Sequence, residues 1–222
     1  MEKALLSGRL APPPAALKGF TRLVAGSEYC QNKLPDLKTL AALRRRAPVT
    51  LATSILTDEG LAAVSALISA AFRRDLIDEV IVNDWGLLQP LKKLTGLALS
   101  AGRLLCVELS VAEPGWTKKF LLEYGITSAE TDDKKMAERL KALGLEISWH
   151  APHAFKAVTT YCPFEKHFKA KCGFSCEGRA LKLKNPHLKK PLLLVEKVYL
   201  TPDASVKPPA GISRLVVRGK GF

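Results

Sequence analysis

The sequence has no long apolar run: its longest, Leu61 to Phe72, has the length of an amphipathic helix and falls short of a membrane span. The opening stretch from Met1 to Phe20 also lacks a signal-peptide core, because Glu2, Lys3 and Arg9 charge it and Pro12, Pro13 and Pro14 interrupt it. The expectation is a cytoplasmic protein without a membrane span, in which cysteines stay reduced. Only 2 methionines and 7% aromatics are present, yet 47% of the 222 residues are hydrophobic, which excludes a disordered, collagenous or coiled-coil chain. There is no HExxH zinc-protease motif, no Gly-x-Ser-x-Gly elbow and no Cys and His pair set apart for nucleophilic work. Proteolysis is therefore a poor reading.

Acids are also scarce. The 21 Asp and Glu face 34 Lys and Arg, a formal charge of +13. Such an excess attracts RNA, anionic small molecules or an acidic partner alike. It is concentrated late, at Lys166, Lys169, Lys171, Arg179, Lys182, Lys184, Lys189, Lys190 and Lys197, with only Glu177 and Glu196 opposing it.

Short apolar runs alternate with helical stretches. Strands are expected at Phe20–Ala25, Val49–Ile55, Glu79–Asn83, Leu97–Ser100, Leu104–Leu109, Leu145–Trp149, Leu192–Tyr199 and Ile212–Val217. Helices are expected at Pro35–Arg46, Thr57–Arg74, Leu87–Leu94, Pro114–Glu123 and Ser128–Leu143. Thr57–Arg74 is the clearest, with Thr57 as cap, Asp58 and Glu59 in the first turn, and Leu61, Val64, Leu67, Ile68 and Phe72 on one stripe. About eight strands in this alternation give the fold class: α/β, a parallel (β/α) barrel of the TIM type, over one domain of residues 1–222. The usual length of such a barrel, about 250 residues, makes this one small or imperfect, with helices short or missing, especially between Leu97 and Leu109.

Residues 151–191 break the alternation and read as an irregular, basic, cysteine-rich loop holding His153, Cys162, His167, Cys172 and Cys176. Ordering so long a segment costs backbone entropy that its few apolar residues cannot offset, so a covalent or metal staple is expected. The 5 cysteines are odd in number and unevenly spaced, which argues against a disulfide framework. Cys162, Cys172 and Cys176 have nine and then three residues between them, and three thiolates are one short of a closed soft-metal site. Cys30, after the first strand, projects to the same C-terminal rim of a parallel barrel and is the natural fourth ligand. Zinc has a local alternative in Cys162, His167, Cys172 and Cys176. At the rim, Glu108, His150 and His153 are candidates for proton handling. Cys106 reads as a small buried hydrophobe in a strand, and Asn83 and Asp84 as caps.

The order Gly26-Ser27-Glu28-Tyr29-Cys30, Val82-Asn83-Asp84-Trp85-Gly86, Cys106-Val107-Glu108-Leu109-Ser110, and the strand, His-Pro segment and cysteine cluster from Leu145 to Cys176 resembles the collagenase-like peptidase family U-thirty-two. Within that family the likeness is to its short, single-domain ubiquinone-biosynthesis members of the UbiU and UbiV type. The resemblance implies the same barrel, with a four-iron four-sulfur (4Fe-4S) cluster on Cys30, Cys162, Cys172 and Cys176. It implies an enzyme of the oxygen-independent hydroxylation type, acting on a quinone-like aromatic precursor or an RNA base, or a chain that lends its cluster to a homologous subunit. A basic zinc module that docks on RNA without catalysis is the alternative.

Overall fold

A computed structural model of the chain describes residues 1–167, 172–188, 190–202 and 207–219. The barrel strands are β1 (Glu2–Gly8), β2 (Arg22–Gly26), β3 (Val49–Ala52), β4 (Glu79–Val82), β5 (Ala98–Ala101), β6 (Ile126–Thr131) and β7 (Glu146–Ala151). The chain then leaves for four further strands, β8 (His153–Val158), β9 (Ala180–Leu183), β10 (Leu192–Val195) and β11 (Val198–Pro202), and returns as β12 (Arg214–Arg218). In space β12 lies between β7 and β1, so eight parallel strands close, while β8-β11-β10-β9 form a separate antiparallel sheet. The outer helices are α1 (Leu37–Arg44), α2 (Asp58–Arg73), α3 (Trp85–Leu91), α4 (Arg103–Leu109), α5 (Pro114–Tyr124) and α6 (Lys134–Ala142). Among the described residues no helix is long and apolar enough to cross a membrane.

The strand alternation sorts the core into two parts. Leu23, Val49, Leu51, Val80, Leu99 and Ile147 face outward onto the helices, where α2 meets them with Val64, Ile68 and Ala71. Each such aliphatic side chain taken fully from water contributes about 1.5–3 kcal/mol. The intervening residues face the lumen, which is divided. Ala4, Leu6, Val24, Ala52, Ile81 and Val216 make an apolar half. Ser100, Glu130, Ser148 and His150, all buried, make a polar half on β5, β6 and β7.

Two expected strands are not strands in the barrel. Leu104–Leu109 is helix α4: Arg103, Leu105, Cys106 and Leu109 are buried while Val107 and Glu108 are exposed, a helical rather than an alternating pattern. Its start is fixed by Asn83, whose Oδ1 accepts the Leu104 N–H at 2.8 Å and whose Nδ2 donates to the Thr53 carbonyl at 2.8 Å. A side chain at Gly102 would collide with that Asn83 amide. Leu192–Tyr199 is a hairpin of the second sheet, turned at Glu196 with φ 56°. In their place β1 and β6 complete the barrel. The expected helix from Ser128 begins only at Lys134, capped by Asp133, because Ile126–Thr131 is strand β6. The helices that are missing lie elsewhere than expected, between β1 and β2, where only a 3-10 turn at Pro14–Leu17 stands, and between β7 and β12, where the second sheet is inserted. The segment 151–191 is less irregular than its composition indicates, since it contains β8 and β9.

Candidate metal centre

The second sheet caps the C-terminal mouth of the barrel. Val195, Val198 and Leu200 pack on Tyr29, whose ring lies parallel to Phe155 with centroids 5.9 Å apart. Tyr29 belongs to the turn that follows β2. Gly26 opens this turn at φ 99°, where a side chain would run into the Ala52 carbonyl. Ser27 then organises it: its Oγ accepts the amides of Tyr29 and Cys30 at 3.1 and 3.2 Å and donates to Glu196 Oε2. Glu196 also pairs with Lys33 at 3.2 Å, both side chains 3% exposed. The turn carrying Cys30 is thereby tied to the β10–β11 hairpin.

Around this turn the cysteines collect. Cys30 and Cys176 are buried, Cys172 is half-buried, and all three lie within electrostatic range of one another. Burial pushes the Cys30 thiol up, against the Asn32 amide that lowers it. Burial likewise pushes Cys176 up to about 11, with Lys33 opposing and Glu196, Cys30 and Cys172 adding to the rise. Cys162, further along the same loop, accepts the Glu165 amide on its Sγ at 3.4 Å. The Glu165 carboxylate accepts the Ser175 amide at 2.9 Å, and one of its oxygens, a nitrogen of His167 and Cys172 Sγ lie within 4.8 Å of one another. Cys162 follows β8, not β7 directly, and its amide donates to the His167 carbonyl at 2.7 Å. Lys169, Lys171 and Lys189 lie outside the described residues; Arg179, Lys182 and Lys184 are exposed.

Peptide N–H groups are aimed at three of the four sulfurs. Asn32 donates to Cys30, Glu165 to Cys162, and Phe174 to Cys172 at 3.3 Å. A neutral thiol is a weak acceptor, whereas a metal-bound thiolate is stabilised by such donors, which also set the potential of a cluster. The donor set and its amides fit a thiolate-bound metal centre.

Of the expected proton-handling residues, His150 and His153 are at this mouth and Glu108 is not. Glu108 sits on the exposed face of helix α4, where its carboxylate accepts the Trp85 Nε1–H at 2.9 Å. Its apolar run resembles a strand, but the run is helical. His150 is buried in the lumen, with Nε2 2.7 Å from Glu130 and Nδ1 3.7 Å from Glu28. Glu130 in turn accepts from Ser100 at 2.9 Å. Arg103 spans Glu28 at 2.6 Å and Asp132 at 2.8 Å. Burial favours a neutral Glu28, but the charges of Arg103 and His150 override it and hold the carboxyl down to about 2. His153 is partly buried and held below the ordinary imidazole range by burial and by Arg218.

Sequence reasoning missed Glu28, Lys33, Arg103, Glu130, Asp132 and Glu196. Arg103 carried a readable signal, as a cation at the head of the apolar run Leu104–Leu109. Lys33 and Glu196 carried none, because only the fold brings them together. Cys106 is fully buried, as expected, but in a helix, where its Sγ donates to the Ala101 carbonyl at 3.2 Å; burial pushes its thiol far up. Asp84 caps α3 through the Gly86 amide at 2.8 Å.

No protein-family model matches the chain. A search of curated proteins likewise finds no match. Among solved structures the chain is similar to the structure of the U32 peptidase Mk0906, with a TM-score of 0.57 and 12% identity over 100% of this chain and 93% of that one. At that identity the likeness is one of architecture: the closed barrel described above is the fold this chain shares with that peptidase structure.

Proposed function

We propose that the chain is an iron–sulfur protein of the oxygen-independent hydroxylation type, with a 4Fe-4S cluster on Cys30, Cys162, Cys172 and Cys176. The observation that carries this reading is that the peptide N–H groups of Asn32, Glu165 and Phe174 each donate to a cysteine sulfur, on Cys30, Cys162 and Cys172, while Cys176 lies within electrostatic range of Cys30 and Cys172. Neutral thiols have no need of such donors. Four thiolates do, because their summed negative charge must be offset in a poorly solvated site. When bound, the cluster supplies one-electron transfer. The protein's own groups hold the thiolates, exclude water with the capping sheet, and place His150 and His153 at the mouth, where they can hold or pass a proton. The hydroxylation class rests on the motif resemblance together with the shared fold. The substrate is an aromatic quinone-like precursor or an RNA base, unless the chain serves a homologous subunit with its cluster.

Anaerobic purification followed by iron and sulfide analysis tests the centre. The expected sample is brown, with broad absorbance near ~400 nm from thiolate-bound iron. Loss of the gene should abolish hydroxylation of one of the two substrate classes in anaerobic growth; unchanged modification of both would remove the functional assignment.

A second reading, zinc on Glu165, His167 and Cys172, is favoured by the closeness of their ligand atoms and by the two buried His167 nitrogens, which have no hydrogen-bond partner. It predicts a colourless protein with one zinc, lost in His167→Ala.

A further inference from the structure

The link from β1 to β2 lacks the helix that usually packs against a barrel. Pro12, Pro13 and Pro14 cannot sustain one, and only a single turn at Pro14–Leu17 stands there, with Ala16 and Leu17 touching the core. The space left open is a cavity of about 590 Å³, the size that holds a drug-sized molecule. Its walls are mostly apolar, from Leu6, Leu10, Pro13, Phe20 and Val217. Its polar end is formed by Arg9, Lys33, Arg218 and Glu177, the residue next to Cys176.

The charges of that polar end are already matched. Arg9 makes a two-pronged pair with Glu177 at 2.9 and 3.1 Å while lying 3.9 Å over the Phe174 ring. Lys33 is paired with Glu196, and Arg218 acts on Glu28. An anionic ligand would have to compete with these carboxylates. An ammonium has three N–H donors, however, and the Glu196 oxygen at 3.2 Å takes one of those on Lys33. A neutral acceptor can use another. A nucleobase, whose edge needs several matched donors and acceptors, would lose them against walls of Leu, Pro and Phe.

We propose that this cavity binds an uncharged, largely apolar small molecule carrying a hydrogen-bond-accepting oxygen, seated with that oxygen toward Lys33 beside Cys176. Taken as the molecule acted upon, it rests on the function proposed above; as a binding site it does not.

The test uses the full chain and prodan, a neutral naphthalene ketone whose emission shifts to the blue in apolar surroundings. Saturable one-to-one binding with a blue shift is expected. Ala11→Trp, at an exposed wall position, should weaken it about tenfold or more without changing the circular dichroism spectrum. Naphthalene, without the ketone, should compete about tenfold more weakly, and adenosine and uridine should not displace the probe. Absence of saturable binding, equal binding by Ala11→Trp, or displacement by the nucleosides would overturn the proposal. A colourless preparation that binds prodan in the Ala11-sensitive manner supports the cavity while removing the iron–sulfur reading. A brown one that does not bind removes the cavity alone.

Discussion

Arg103 concentrates the electrostatics of the barrel mouth in one side chain. It is 4% exposed and holds two acids from different elements, Glu28 after β2 and Asp132 after β6. Arg103→Met leaves the buried Glu28 and the half-buried Asp132 without their shared guanidinium, and should cost about 3–5 kcal/mol in urea unfolding. Arg103→Lys should recover only part, since an ammonium cannot reproduce the fork. At the other end of the barrel Glu2 accepts from Arg22 and Arg214. Burial pushes its carboxyl up, but those two hydrogen bonds outweigh it and hold it below the ordinary carboxylate range. Its contribution is therefore present above the ordinary value and lost as pH falls through its folded value. The stability gap between wild type and Glu2→Gln should narrow as pH falls below the ordinary carboxylate range and close once the folded-state carboxyl is protonated, as measured by denaturation at each pH. At this scale the group Cys162, Cys172 and Cys176 stands out in the sequence by its spacing, while Cys30 enters by its place after a strand. Their amide donors were not readable, because N–H direction depends on turns that composition does not encode.

At the scale of elements, α4 shows where periodicity misleads. Six residues from Leu104 to Leu109 are too few to separate a buried strand from a buried helix. What decides is Asn83, which holds the first turn of α4 against the end of β3. Asn83→Ala removes both buried hydrogen bonds and should cost about 1–3 kcal/mol. Hydrogen exchange should locate the loosening in α4 and leave α2 protected. α2 itself was legible because cap, charge and stripe all agree: the Gly60 amide donates to Thr57 Oγ1 at 3.1 Å, and Val64 and Ile68 are buried. β6 was hidden since Ser128 and its following acids imitate a helix start, although Asp133 is the true cap.

At the scale of the whole molecule, the barrel was recognisable although two of its strands were misplaced. β1 and β6 take the places of α4 and of the β10–β11 hairpin, so the number of strands stayed at eight while two of its members changed. The capping sheet was not legible, because β8 and β9 are separated by the cysteine loop and pair through strands later in the chain. That sheet is tied to the turn after β2 by Glu196, which meets Ser27 and Lys33 beside Cys30. Arg9, just after β1, grips Glu177 and covers Phe174, the neighbours of Cys176 and Cys172 in the loop. Arg9→Ala should release the Cys172–Cys176 turn and speed iron loss to a chelator under anaerobic conditions, with little change in the circular dichroism of the barrel.

The account depends on Cys30 sharing one centre with the distant Cys162, Cys172 and Cys176. Iron and sulfide content of anaerobically purified Cys30→Ala, compared with wild type and with Cys106→Ala, tests this most directly. The account predicts about four irons and four sulfides per chain in wild type and Cys106→Ala, and their loss in Cys30→Ala. A Cys30→Ala protein that keeps its full iron, or a wild type that contains none, would contradict it.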